Sequence, residues 1–86
     1  MPYIKKQDRE KFEDVLLYKL PDTETSGELN YLITMVCQNY LHSKGVSYQT
    51  FNDIIGALEG SKLELYRRQL SVYEDKKIIE NGDVYD

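Results

Sequence analysis

The sequence predicts an all-α fold, a compact three-to-four-helix bundle with a long third helix. Three observations predict it. Apolar residues recur at intervals of three and four from Phe12 to Val72, the spacing of one buried helix face. The ends of those runs carry helix punctuation: prolines, glycines and capping pairs. No run alternates polar and apolar residues with the period of two that a half-buried strand needs.

Residues 1–7 read as an extended arm, because Pro2 opposes helix continuity and leaves Tyr3 and Ile4 to dock on a neighbour. The first helix is expected from Asp8 to Leu20, with Phe12, Val15, Leu16 and Leu20 on one face. Asp8 and Glu10 suit the positive end of its dipole. Pro21 stops it, since a residue before proline avoids the helical region. After a polar loop, Thr25 and Glu28 form a capping box that opens the second helix. Leu29, Leu32, Ile33, Val36, Cys37, Tyr40 and Leu41 then define a broad apolar stripe. Gly45 closes that helix as a left-handed cap.

Ser47 caps the third helix, whose core face is Phe51, Ile54, Ile55, Leu58 and Leu65, with Val72 further along. Ser71 followed by Glu74 is a second capping pair, so a break near Leu70 is favoured over a kink. The last piece is expected to end near Glu80, at the stop Asn81-Gly82. Residues 83–86 form a short tail whose Val84 and Tyr85 are expected to dock. The whole chain, 1–86, reads as a single helical domain with its core between the second and third helices and the first helix closing it.

A domain of 86 residues buries only about 60–65% of its unfolded surface and is marginal alone. Disulfides and metals are the usual staples at this size. Cys37 is the only cysteine and His42 the only histidine, which rules out an internal disulfide and a zinc cluster of these types. The two are five apart on one helix and face different ways, so no nucleophilic dyad is expected. Helix packing and oligomerisation remain, and a homo-oligomer is the expectation, with Tyr3, Ile4, Ile78, Ile79 and Tyr85 as candidate contacts. The formal charge of −4 argues against general nucleic-acid binding. No apolar run approaches the roughly 18 residues of a membrane span, and the start lacks a signal peptide's apolar core. A cytoplasmic protein without a cofactor or metal is expected.

The candidate binding surface is Lys62, Tyr66, Gln69 and Tyr73 at helical spacing, with Arg67 and Arg68 beside them. Arginine offers a planar bidentate fork to a phosphate or carboxylate, and tyrosine a face to stack on. The competing reading is a solvated face in which Glu59 pairs with Lys62 and Glu64 with Arg68. Gly56 and Gly60, flanked by small Ala57 and Ser61, open a notch suited to a close helix crossing, within the chain or between copies. Acidic residues Glu28, Asp53 and Glu59 bring to mind the magnesium sites of all-helical nucleotide hydrolases. Lys62 stands where a partner of Glu59 should be, so that reading is weak, and no catalytic constellation is assigned.

Several segments together resemble a small family of bacteriophage and prophage proteins with no assigned activity: MPYI with DRE (Met1–Ile4 and Asp8–Glu10), GELNYLIT (Gly27–Thr34), NDIIGALEGSKLELYRR (Asn52–Arg68) and YEDKKIIENGDVY (Tyr73–Tyr85). The resemblance spans nearly the whole chain. It implies a virus-related setting in a host cytoplasm and carries over no functional residue. The leading functional expectation is a non-enzymatic interaction protein, an accessory factor acting on a host macromolecule. The alternatives are a counter-defence binder holding a small anionic nucleotide near Tyr66, Arg67 and Arg68, and a metal-dependent hydrolase using Glu28, Asp53 and Glu59.

Overall fold

In a computed structural model, residues 4–85 are described, and no strand occurs among them. The chain is all-α. It divides into two units, Met1–Cys37 and Gln38–Asp86.

The first unit opens with a 3-10 turn, Lys6–Arg9, followed by α1 (Glu10–Asp14) and a π turn, Val15–Lys19. Helical backbone thus starts two residues before the expected Asp8. The Asp8 N–H donates to the Lys5 carbonyl at 2.9 Å, and the Arg9 guanidinium reaches the Ile4 carbonyl at 3.3 Å. Of the expected arm's described residues, Ile4 and Lys5 precede that turn and Lys6 and Gln7 lie in it, while Tyr3 lies outside the described residues. The π turn shows in its partners. The Leu20 N–H bonds back five residues to Val15 O at 2.7 Å, and Lys19 pairs with Asp14 at 2.8 Å. Residues five apart lie roughly 140° apart on an α-helix, so that ion pair needs the wider turn. Leu20 is extended, at φ −78° and ψ 120°, as the following proline demands.

The helix α2 (Ser26–Lys44) starts on the expected cap. The Thr25 hydroxyl accepts from the Glu28 N–H at 3.1 Å. The Glu28 carboxylate reaches one residue past the capping position, accepting from the Glu24 N–H at 2.9 Å. Its other end is closed by Gly45 at φ +86°, whose N–H bonds to Leu41 O at 2.8 Å. Leu32, Cys37 and Leu41 on its stripe are half-buried, while Leu29, Ile33 and Val36 are exposed.

The second unit turns from the end of α2 into a helix 34 residues long, made of α3 (Tyr48–Leu65), a π turn (Tyr66–Leu70) and α4 (Ser71–Asn81). Ser47 caps it as predicted: its hydroxyl accepts from the Thr50 N–H at 3.1 Å and bonds to the Thr50 hydroxyl at 3.0 Å. Thr50 is buried, at 4% exposure. Gly82, at φ +85°, ends the helix with its N–H on Ile78 O at 2.8 Å.

The expected break near Leu70 does not occur. A capping serine must leave the helical region, whereas Ser71 keeps φ −64° and ψ −35°. Its N–H goes to Tyr66 O, five residues back. That strips Arg67 O of the donor an α-helix would supply, and the Ser71 hydroxyl replaces it at 2.7 Å. Glu74 does not reach back to a cap and instead accepts from the Tyr66 hydroxyl at 3.3 Å.

Among the described residues no hydrophobic side chain is fully buried. Phe51, Leu58 and Leu65 are 45%, 40% and 58% exposed, and Ile54 is half-buried. Val84 and Tyr85 do not dock; the tail borders the end of α4 around an open hollow of about 370 Å³, with both residues exposed.

Candidate functional site

The polar surface centres on the π turn of the long helix. Before it, Lys62 is paired with Glu59 at 3.2 Å, both side chains largely exposed. An exposed pair of this kind is worth little by itself, but it takes up the positive charge a ligand would meet first. Arg67, Arg68 and Gln69 lie in the π turn and are exposed. The Tyr66–Glu74 bond joins residues eight apart. On an uninterrupted α-helix residue seven returns over the start and residue eight lies roughly 80° further round. The extra residue of a π turn moves the eighth into the seventh's place.

That shift rearranges the predicted surface. Lys62 and Tyr66 share a face, yet the position beneath Tyr66 is held by Glu74, and Tyr73 is turned away by about 100°. Tyr73 instead sits under Lys77, whose ammonium lies 5.5 Å from its ring centroid. The negative charge of Glu74, together with its hydrogen bond, raises the Tyr66 hydroxyl above the usual 10.0, with desolvation and the neighbouring Tyr85 adding less. A carboxylate at this point weakens the field the two arginines offer an anion.

At Gly56 an added Cβ would meet nothing within 4 Å. Gly60 is half-buried. Ile4, Ile78, Ile79 and Tyr85, the described candidate contacts, are all exposed, Ile79 and Tyr85 at 85% and 84%. The carboxylates of the hydrolase reading each have a partner nearby: Glu28 on the Glu24 N–H, Glu59 on Lys62, and Asp53 on two side chains. No group of three or more His, Cys, Asp or Glu placed to hold a metal ion occurs among the described residues.

Asp53 carries a cluster that sequence reasoning missed. Tyr40, near the end of α2, donates to Asp53 Oδ2 at 2.8 Å, and Gln49 donates to Oδ1 at 2.7 Å. The Asp53 bond, desolvation and the carboxylate's charge raise the Tyr40 hydroxyl above 10.0. The Gln49–Asp53 half was visible as an i, i+4 pair. Tyr40 was not, because its approach depends on the tight turn through Gly45.

Over residues 1–84 the chain matches the family described as Domain of unknown function (DUF6899), and it belongs to that family. No curated protein and no solved structure matches it. Among the described residues no helix is long and apolar enough to cross a membrane.

Proposed function

We propose that this member of the DUF6899 family is a non-enzymatic helical interaction protein that completes its fold by assembling with copies of itself. One observation carries the reading: among the described residues the helices carry apolar stripes and no hydrophobic side chain is fully buried. Hydrophobic burial is the main driving force of folding, and helices that fully bury no apolar side chain among the described residues have little else to offset the entropy of ordering them. Assembly supplies the missing burial and turns the helices into one compact three-to-four-helix domain. Ile4, Ile78, Ile79 and Tyr85 are available to further contacts at the ends of the chain, and the sequence adds Tyr3.

The resemblance to phage and prophage proteins extends this reading to an accessory factor acting on a host macromolecule in the host cytoplasm. The surface offered to that partner is Lys62, Tyr66, Arg67, Arg68, Gln69 and Tyr73. A counter-defence role, binding a small anionic nucleotide at Tyr66, Arg67 and Arg68, is the second reading. The exposure of both arginines supports it and the Glu74 carboxylate opposes it.

Native mass spectrometry on gently purified protein tests both. A clean multiple of the chain mass is expected. A bare monomer with full helical circular dichroism would refute the assembly reading. A small anionic species that leaves on denaturation, and is lost in an Arg67→Ala/Arg68→Ala variant that still folds, would put the nucleotide reading first.

A further inference from the structure

The long helix ends on Asn81-Gly82, the one place in the chain where an asparagine stands directly before a glycine. In that order the two residues carry a reaction of their own. The Gly82 backbone nitrogen can attack the Asn81 side-chain carbonyl carbon and close a succinimide ring. A bond forms from Gly82 N to Asn81 Cγ, the Cγ–Nδ2 bond breaks, and Nδ2 leaves as ammonia with the proton that Gly82 N gives up. Water then opens the ring at either carbonyl, leaving aspartate or isoaspartate. Glycine permits this because it has no Cβ to obstruct the closing ring. The surroundings do not obstruct it either: both residues are exposed, and nothing lies within 4 Å of a Cβ built on Gly82. The other asparagines, Asn30, Asn39 and Asn52, precede tyrosine or aspartate inside α2 and α3.

We propose that Asn81 is a site of spontaneous conversion to aspartate and isoaspartate, held back by the cap of α4 and, once converted, releasing the last turn of that helix. The check is geometric. Asn81 is the final residue of α4, and a helical backbone holds the following nitrogen out of line with the side-chain carbonyl it must attack. The Gly82 N–H is also engaged, donating to Ile78 O at 2.8 Å, so the helix holds the proton that has to leave. Both restraints fail together when the last turn frays, and helix ends open readily. The product cannot restore them. Conversion adds a negative charge at the negative end of the helix dipole, and α4 has no basic residue in its last turn to meet it. Lys77, one turn back, is already paired with Glu80 at 3.0 Å. Isoaspartate goes further: it inserts the side-chain methylene into the main chain and breaks the spacing on which the Gly82–Ile78 bond depends.

Ageing the full chain in neutral buffer at physiological temperature, with peptide mapping by mass spectrometry at intervals, tests this. A synthetic peptide of residues 78–85 serves as the unrestrained reference. Asn81 is expected to gain the mass of an amide-to-acid exchange and to resolve into two isomers, while Asn30, Asn39 and Asn52 stay intact. Its rate in the folded chain is expected to be about fivefold below the peptide's, the factor that one net hydrogen bond provides, and to rise to the peptide's in denaturant. An Asn81 still wholly intact when the peptide is fully converted, or a different asparagine reacting first, overturns the site. Equal rates in the folded chain and the peptide overturn the check by the cap. The converted fraction, separated by ion exchange, is expected to lose helical amide chemical shifts over residues 78–82 that an Asn81→Gln variant keeps. Unchanged shifts in that fraction overturn the release of the last turn.

Discussion

Replacing Ser47 by alanine tests the corner where α2 passes into α3. Thr50 is the only buried residue among those described, at 4% exposure, and Ser47 accounts for its polar atoms. Loss of the capping hydroxyl costs about 1 kcal/mol by itself. It also leaves the Thr50 hydroxyl, 3.0 Å from Ser47 Oγ, without its partner in a buried position, which adds about 1 kcal/mol. The expected destabilisation is therefore about 2 kcal/mol. The second part should vanish in a Thr50→Val background, where no hydroxyl is left to strand. A double-mutant cycle then reads the coupling directly. Urea unfolding followed by far-ultraviolet circular dichroism gives each value from the midpoint and slope. All four proteins must be compared at one chain concentration, because association makes apparent stability concentration-dependent. Strict additivity, or a Ser47→Ala cost within a few tenths of a kcal/mol, would refute the idea that this pair anchors the corner.

Three further outcomes are expected. Tyr40 and Tyr66 have hydroxyls raised above 10.0 by Asp53 and Glu74, so the folded protein holds those protons more tightly than the unfolded chain. Their contribution is complete below pH 10 and lost as pH rises through the folded values; tyrosinate absorbance should show late-ionising tyrosines, and Asp53→Asn should bring Tyr40 forward. Gly45→Ala meets no steric obstacle, with nothing within 4 Å of the added Cβ, so its cost is the φ of +86° alone, about 1 kcal/mol in urea unfolding. Ser71→Ala removes the side-chain donor to Arg67 O, which should cost about 1 kcal/mol in the same assay and favour return of the turn to an α register, seen as changed amide chemical shifts over residues 66–74.

The parts of the fold legible in the sequence are those governed by one or two neighbouring residues. The Thr25 and Ser47 caps, the stop at Pro21, the left-handed cap at Gly45 and the stop at Gly82 each follow from local backbone chemistry, and each stands where it was read. Ser71 defeated the same logic. The pattern serine, two residues, glutamate is a capping box only if the serine leaves the helix. Here the hydroxyl had another carbonyl to satisfy, four residues back. Whether a serine caps or bonds backwards depends on whether the chain before it has reason to stop, and nothing between Leu65 and Leu70 gives one. The same cause changed which residue stands beside Tyr66: counting in turns of 3.6 put Tyr73 there, and one wider turn put Glu74 there instead.

Periodicity says that a face will be buried without saying by what, and a π turn separates the two questions. Val72 and Leu70 are equally apolar by type and lie two positions apart, yet only one of them can continue the Phe51–Leu65 stripe. A stripe that merely needed covering would be served by either. Holding the wider turn has a cost, since π hydrogen bonding is rarely adopted, and in this chain the Ser71 hydroxyl and the Tyr66–Glu74 pair both act to hold it.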